Sequence, residues 1–338
     1  CFVTSESSSL VPDQPNFERV VVPVNPASRY SRVVYENSIL PITARAHRLD
    51  GMHWFANTVS LINPVPSVVT VHDLLYFESP EEFPLIKRTY LKSMTAHAVR
   101  HSRLLLPVSQ YTADALKMRL KARDERMTVI PAVVDQRFQP VDDEKVKKFM
   151  EKYNLPDNFW LYVAHFYPHK NHRRLIEAYH GLIKQGFMPW PLVLRGDARE
   201  ELAMIMQLTG DLDMKSKIIF LPRLAEDELP ALYTAAGALV FPSLYEGGGI
   251  PVLEAMACGC PVAASNIPTT REFAGDAVLM FDPGKADSIC EAMRDLQQDE
   301  ERRSSLRERA FERVASHRAD HIRRLLVDSY RRAFQGTA

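Results

Sequence analysis

The chain has 338 residues, 46% hydrophobic and 25% charged, a composition typical of a soluble globular protein with length for two domains. Its 42 basic and 42 acidic side chains balance, so it lacks the positive field of nucleic-acid-binding proteins and we expect no nucleic-acid partner. No apolar run reaches the roughly 18 residues that a membrane span needs, and nothing at the start reads as a signal peptide, so a cytoplasmic protein is expected.

Strands and helices are predicted to alternate in the first part of the chain, residues 1–140. Short apolar or β-branched runs predict strands at 1–4, 19–23, 52–55 and 68–71, and helical spacing predicts helices at 85–101 and 114–120. Such alternation is typical of a parallel sheet covered by helices. Because residues 1–4 read as a strand that begins midway through a fold, we expect this domain to be truncated at its start.

The region 85–126 has a basic face despite the overall neutrality of the chain. Apolar side chains such as Leu85 and Ile86 are interleaved with the basic ones there. One helix of this region could therefore rest on anionic lipid, which would place the protein on the inner face of the cytoplasmic membrane. A solvated helix face is the alternative, and both interpretations remain open.

The second part of the chain, residues 141–318, is predicted to be another Rossmann-like unit. The apolar pattern stops near residue 140, and a polar helix is predicted at 145–153. Six strands with helices between them are predicted at 159–163, 191–194, 217–221, 238–241, 261–264 and 277–281. The remaining helical run is long and arginine-rich and extends from residue 299 to residue 334.

A glycine-rich turn after the strand 238–241 has the pattern of a phosphate cradle. Gly247 to Gly249 let a ligand approach the backbone, and a helix begins near Pro251, so that unpaired N–H groups and the helix dipole favour an anion. We expect a diphosphate ligand to contact the turn and the first helical turn, namely Gly248, Gly249, Ile250, Val252 and Leu253.

Two carboxylates, Glu246 and Glu254, flank this turn. A carboxylate beside a phosphate would repel it, so these acids are expected to accept hydrogen bonds from hydroxyl groups instead. We expect Glu246 to hold a sugar and Glu254, one turn into the helix, to hold a ribose.

The pair Glu246 and Glu254 with the intervening GGGIPVL resembles the E-x7-E signature of the retaining GT-B glycosyltransferases of family 4. Further segments stand where that family has its recurring motifs: Thr70–Asp73, Pro107–Gln110, Ile130-Pro131 with Val134-Asp135, Lys170-Asn171 and Arg271–Asp276. The resemblance implies an α/β protein with two Rossmann-like domains, their parallel sheets facing each other across a cleft. Residues 1–140 would bind the acceptor, residues 141–318 the nucleotide-sugar donor, and residues 319–338 would form a helix that crosses back to the first domain.

The resemblance also implies roles for single residues. Lys170 would neutralise the leaving diphosphate together with an arginine, but this chain has His165 at the arginine's position. A neutral imidazole stabilises phosphate charge less than a guanidinium, so either His165 is protonated or Arg195 or another residue substitutes. A structural role for Arg195 remains equally open.

Two further positions are interpreted through the resemblance. His72, which directly follows the strand 68–71, would bind the transferred sugar or the acceptor; a satisfied core histidine is the alternative. Arg223 and Leu224 stand where related enzymes hold the nucleobase by backbone groups. The catalytic candidates are therefore His72, Lys170 and Glu246.

No metal or other cofactor is expected. His165, His169 and His172 have helical spacings, but Pro168 argues against a helix through all three. Asp211-Leu-Asp213 imitates a metal-binding acidic motif but follows no apolar strand, so a solvated turn is expected.

The predicted activity is the transfer of a hexose to a glycan or lipid-linked glycan, with GDP-mannose as the first donor candidate and a UDP-hexose as the second. Two alternatives remain. One is a non-catalytic GT-B-like subunit that binds nucleotide or glycan. The other is a different GT-B enzyme, such as a sugar-nucleotide epimerase or a phosphorylase.

Overall fold

The computed structural model describes residues 1–3, 11, 14–25, 28–199 and 201–335. All strand pairs of the named sheets are parallel. The strands are β1 (Phe2–Val3), β2 (Val20–Val21), β3 (Met52–Trp54), β4 (Ser67–Val71), β5 (Leu104–Pro107), β6 (Trp160–Val163), β7 (Leu192–Arg195), β8 (Ile218–Leu221), β9 (Ala238–Phe241), β10 (Val262–Ser265) and β11 (Leu279–Phe281).

Helices connect most of these strands, as the predicted alternation requires. They are α1 (Arg29–Ser38), α2 (Leu40–Ala46), α3 (Leu75–Glu78), α4 (Leu85–His101), α5 (Gln110–Leu120), α6 (Asp143–Tyr153), α7 (His172–Lys184), α8 (Leu202–Asp211), α9 (Leu229–Ala235), α10 (Ile250–Ala257), α11 (Pro268–Ala274), α12 (Ala286–Gln298), α13 (Glu300–Ala315) and α14 (Ala319–Phe334). Within the described ranges, no helix is long and apolar enough to cross a membrane.

The N-terminal part contains a three-stranded sheet in the order β3-β4-β5 and a separate pair formed by β1 and β2. The strands predicted at 1–4, 19–23, 52–55 and 68–71 are confirmed with shorter or shifted ends, while residue 4 lies outside the described residues. Strand β5 was not predicted. Its four buried residues follow α4 almost without a turn, so they read as the apolar end of a helical region.

The helices at 85–101 and 114–120 are confirmed, and α5 begins earlier than predicted because Ser109 caps it. The Ser109 hydroxyl accepts a hydrogen bond from the N–H of Thr112, as is common at helix starts. The helix predicted at 145–153 also begins earlier, at Asp143, because the Asp142 side chain accepts a hydrogen bond from the N–H of Lys145.

The second part contains one six-stranded sheet in the order β11-β10-β9-β6-β7-β8. All six strands were predicted, each within two residues of its observed ends. The order is that of a Rossmann sheet, whose direction of winding reverses between its first and fourth strands, here β6 and β9. Ligands of such sheets bind at the carboxyl ends of the strands at this reversal, so the loops after β6 and β9 form the expected site.

The helical run predicted at 299–334 is two helices, α13 and α14, interrupted at residues 316–318. No glycine or proline marks the break. It is made by contacts with the linker before α6, where the carbonyl of His317 accepts from the N–H of Val134 and the Arg318 guanidinium donates to the carbonyls of Asp135 and Phe138. Tertiary contacts therefore override the local helical pattern.

The last helix, α14, packs on the N-terminal sheet, as the resemblance implied. Its Ala333 joins a buried cluster with Val68 of β4 and Leu104 and Leu106 of β5. Tyr330 adds a hydrogen bond of 2.6 Å between its hydroxyl and Nδ1 of His53. Helix α14 thus joins the two parts of the chain, whose predicted boundaries near 140 and 318 stay predictions.

Candidate active site

The loops after β6 and β9 meet at the winding reversal and are joined by hydrogen bonds. Asn171, which ends the turn of residues 168–170 with a φ of 61°, donates from Nδ2 to the carbonyl of Pro242 at 3.0 Å. The N–H of Leu244 donates to the carbonyl of His169 at 2.8 Å. These bonds fix the loop that carries Lys170 against the loop that carries Glu246.

Lys170 and Glu246 form an ion pair at the centre of this junction. The Lys170 Nζ lies 2.6 Å from Oε1 of Glu246, and the two side chains are only 18% and 10% exposed. The structure therefore brings two catalytic candidates together. A ligand that takes the ammonium as a phosphate partner must compete with this carboxylate or share the cation with it.

The glycine turn begins α10 with Gly249 in the left-handed region at a φ of 56°. Val252 and Leu253 are fully buried, and their N–H groups donate to the carbonyl of Gly249. Contact of Val252 and Leu253 with the donor stays a prediction. In the structure, these two residues position the start of α10. Ile250, by contrast, is 48% exposed at the helix start.

A pocket of about 550 Å³ lies along the carboxyl ends of β6, β7 and β8. It gathers five residues that the sequence singled out: His165, Arg195, Arg223, Leu224 and Glu254. Four elements supply them: the segments that follow β6 and β8, the last residue of β7, and α10.

Sequence reasoning missed other residues that line this pocket: Arg137, Phe138, Asp197, Ala225, Glu226 and Leu229. Arg137 and Phe138 belong to the linker between the two parts of the chain, which carries no local binding motif. Asp197 and Ala225 could have been included, because they directly extend the segments Arg195-Gly196 and Arg223-Leu224.

Glu254 is held inside the pocket by a tyrosine. The Tyr233 hydroxyl donates to its Oε2 at 2.9 Å. Burial raises the pKa of Glu254 to about 7, against the opposing effects of this hydrogen bond and of the charges of Arg137 and Arg195. The carboxyl group therefore changes protonation state near neutral pH.

The raised pKa of Glu254 predicts a pH-dependent stability of the unliganded protein. A carboxyl whose pKa rises from 4.5 to about 7 on folding stabilises the fold below 4.5, and this contribution is lost as the pH passes 7. At about 1.4 kcal/mol per pKa unit, the loss is about 3 kcal/mol. Between pH 5 and pH 8, urea unfolding should show the stability of the wild type falling by about 2–3 kcal/mol relative to that of Glu254→Gln, which preserves the shape. Equal pH slopes of the two proteins would contradict it.

His165 is arranged as a neutral imidazole. Its Nδ1 accepts a hydrogen bond of 3.1 Å from the N–H of Asp197, which requires that nitrogen to be unprotonated. Burial lowers its pKa, and the charges of Arg199, Arg195 and Lys170 lower it further, although Asp197 opposes them. The geometry therefore favours Arg195, rather than a protonated His165, as the second cation of the site.

Arg195 ends β7 and lines the pocket. Its Nε is buried and finds no hydrogen-bond partner among the residues that the structure describes. Buried donors are normally paired, so an unpaired one at a pocket wall suits an anionic ligand.

His72 lies at the junction of the two domains and is exposed, so the core-histidine alternative is wrong. Its Nε2 lies 2.9 Å from the carbonyl of Phe55, and its backbone N–H donates to Oδ1 of Asn57. A Cβ added at Gly247 would overlap the His72 carbonyl oxygen. Asp73 Oδ1 accepts a hydrogen bond of 2.9 Å from the N–H of Leu75, the first residue of α3.

The histidines after β6 have separate environments. His169 Nδ1 lies 2.7 Å from Oε2 of Glu82 in the N-terminal part, and His172 begins α7 fully buried. Asp211 and Asp213 end α8 in an exposed turn, as expected. Among the described residues, no group of three histidine, cysteine or acidic side chains is placed to hold a metal ion.

Comparison with protein families places the chain in a known class. The model for the glycosyl transferases group 1 matches residues 143–313, and the model for Glycosyltransferase Family 4 matches residues 2–138. The chain belongs to the glycosyl transferases group 1.

Similar sequences include O-antigen chain mannosyltransferase B of Escherichia coli, 32% identical over 66% of this chain and 59% of that protein. The serotype-specific mannosyltransferase WbdA of Escherichia coli is 29% identical over 81% of this chain and 34% of that protein. The chain thus spans less than two thirds of the length of these relatives.

Solved structures confirm the predicted GT-B fold. Sucrose-phosphate synthase from Thermosynechococcus elongatus superposes with a TM-score of 0.77 at 20% identity, over 97% of this chain and 88% of the other. Anabaena Alr3699/HepE in complex with UDP and glucose gives 0.76 at 21% identity, over 92% and 85%.

Proposed function

We propose that the protein is a retaining glycosyltransferase that transfers mannose from GDP-mannose to a glycan or lipid-linked glycan in polysaccharide biosynthesis. Two observations carry this proposal. Arg195 and Glu254 line the pocket along the carboxyl ends of β6, β7 and β8. The Lys170–Glu246 pair joins the loops after β6 and β9 at the winding reversal. The choice of mannose follows the mannosyltransferase relatives. A UDP-sugar, such as the UDP-glucose bound by HepE, is the competing donor.

In the proposed mechanism, the donor diphosphate lies between Lys170, Arg195 and the start of α10. The bond between the anomeric carbon and the diphosphate oxygen breaks, and its electron pair leaves on the phosphate, where the two cations and the helix dipole stabilise it. The acceptor hydroxyl attacks the anomeric carbon from the same face and gives its proton to the departing phosphate oxygen. This front-face route retains the configuration.

The remaining residues position the reactants. Glu246 accepts hydrogen bonds from the donor sugar, Glu254 accepts from the ribose, and His72 approaches the sugar from the acceptor domain. Holding both substrates in one geometry supplies a large part of such an acceleration. No metal is assigned a part in this scheme.

The test is a transfer reaction with purified protein, GDP-mannose and octyl α-mannoside as the probe acceptor. We expect acceptor-dependent release of GDP and an α-linked product by NMR, with less transfer from UDP-glucose. A β-linked product would contradict retention of configuration. Turnover with UDP-glucose but not with GDP-mannose would show that the donor is UDP-glucose instead. GDP binding without turnover of either donor would favour the non-catalytic subunit instead.

We also propose a peripheral contact with anionic membranes through the start of α4. Leu85 and Ile86 are 67% and 86% exposed there, next to Lys87 and Arg88. Insertion of one such side chain contributes about 1.5–3 kcal/mol, so Ile86→Asp should weaken binding to anionic vesicles by about tenfold or more in low salt.

The matched control for this contact is Met188→Asp, since Met188 is also 86% exposed but lies in the C-terminal domain. Sedimentation with phosphatidylglycerol vesicles should separate the two variants. If both variants bound the vesicles equally, or if the wild type did not bind them, the start of α4 would be a solvated helix face with no membrane contact.

A further inference from the structure

The far end of the donor pocket, beyond Glu254, is formed by the loop after β8 and by the interdomain linker. Because β6, β7 and β8 are neighbours in the sheet, their following loops lie in that order along one edge. His165 and Arg195 thus mark the phosphate end, and residues 223–226 mark the end where a nucleobase would lie.

This end of the pocket carries a paired carboxylate and guanidinium. Arg137 Nη1 donates to Oε2 of Glu226 at 2.9 Å, and Asp135 steadies the same guanidinium at 3.3 Å from Nη2. Both Arg137 and Glu226 line the pocket and remain substantially exposed. The charges of Arg137 and Glu226 both act on Glu254, which places them within electrostatic reach of the proposed ribose site.

The other acids of this loop are placed differently. Glu228 is held by Lys152, by the Tyr153 hydroxyl and by the N–H of Ala225, so it anchors the loop. Asp227 is exposed and does not line the pocket. Glu226 is therefore the carboxylate of residues 225–228 that a base could meet.

Guanine and uracil present different groups to such a pair. Guanine offers two adjacent donors, N1–H and the N2 amino group, which match the two oxygens of a carboxylate, and acceptors at O6 and N7 that suit a guanidinium. Uracil offers a single N–H between two carbonyl oxygens, and a carboxylate would repel those oxygens.

We infer that Glu226 is the specificity-determining residue for the nucleobase and that it selects guanine, with Arg137 holding its carboxylate in place. This inference rests on the proposed function, since it names the base of that donor. Recognition of the nucleobase then depends on the Glu226 side chain in addition to the backbone groups of the loop after β8.

The test measures the affinities of GDP, IDP and UDP by calorimetry for the wild type, Glu226→Gln, Glu226→Ala and the control Asp227→Asn. IDP is the informative probe because hypoxanthine lacks the N2 amino group and keeps the rest of the purine. A site that accepts a hydrogen bond from one group of its ligand rejects an analogue that lacks this group. The wild type should therefore prefer GDP to IDP by about tenfold or more.

Both Glu226 variants should reduce the ratio of GDP to IDP affinity to near unity, while Asp227→Asn should keep it. Equal wild-type affinities for GDP and IDP, a preference for UDP, or an unchanged ratio in Glu226→Ala would each overturn the inference. A Glu226-dependent preference for GDP without mannose transfer would instead reject the proposed reaction and leave the base assignment standing. A site that binds none of the three nucleotides would reject both.

Discussion

Replacing Lys170 by alanine should lower the turnover of mannose transfer by about 10²–10³-fold, the effect expected when a charge that stabilises a leaving group is removed. The Lys170 Nζ lies at the winding reversal, where the turn of residues 168–170 positions Lys170 and Glu246 pairs with it. Charge develops on the diphosphate mainly in the transition state, so kcat should fall more than KM rises. Initial rates over a range of GDP-mannose concentrations separate the two constants.

The control for this prediction is Lys184→Ala, because Lys184 is an exposed lysine at the end of α7 in the same domain. It should retain nearly full activity. If Lys170→Ala kept a kcat within a few-fold of the wild type, Lys170 would have no part in the departure of the diphosphate.

Gly247→Ala should reduce activity by about 100-fold or more by separating the domains at the glycine turn. A methyl group at this position would overlap the carbonyl oxygen of His72, which is backbone and cannot rotate away. Relief requires the loop after β9 to move away from the loop after β4. A displacement of about 1 Å between catalytic groups can cost about 100-fold in rate.

Gly248→Ala is the matched control because the added methyl would lie 3.4 Å from the Cβ of Ala132 and 3.6 Å from Val108 Cγ2, both in side chains. It should lose much less activity. Comparable losses in the two variants would show that the turn tolerates no side chain anywhere, and the contact with His72 would have no special part. Thermal unfolding of both variants checks that each remains folded.

The parts of the fold with strong local signals could be predicted from the sequence. The run Ala238–Phe241, the three glycines and Pro251 each limit the backbone locally, and together they predict the strand, the turn and α10. The break between α13 and α14 could not be predicted, because the linker segment that causes it is distant in sequence.

The sequence named candidate residues for the site, whose roles stay predictions, but it could not indicate the contacts among them. Lys170 and Glu246 were both expected near the donor, yet their mutual ion pair joins loops 76 positions apart. Arg137 and Glu226 are 89 positions apart and carry no motif, so only the folded chain brings them to one pocket. Burial by the surrounding chain also sets the pKa of Glu254, which composition does not indicate.

Calorimetric titration of GDP into the wild type and Glu254→Ala tests the central claim most directly, namely that this pocket binds a nucleoside diphosphate with its ribose on Glu254. At pH 8, where the Glu254 carboxyl with its pKa of about 7 is mostly ionised, the wild type should bind GDP. The variant should bind GDP about tenfold or more weakly, since a hydrogen bond to a charged group contributes about 1.5–3 kcal/mol. Equal affinities would contradict the assignment of Glu254 to the ribose. Failure of the wild type to bind GDP, UDP or ADP would contradict the nucleotide site as a whole.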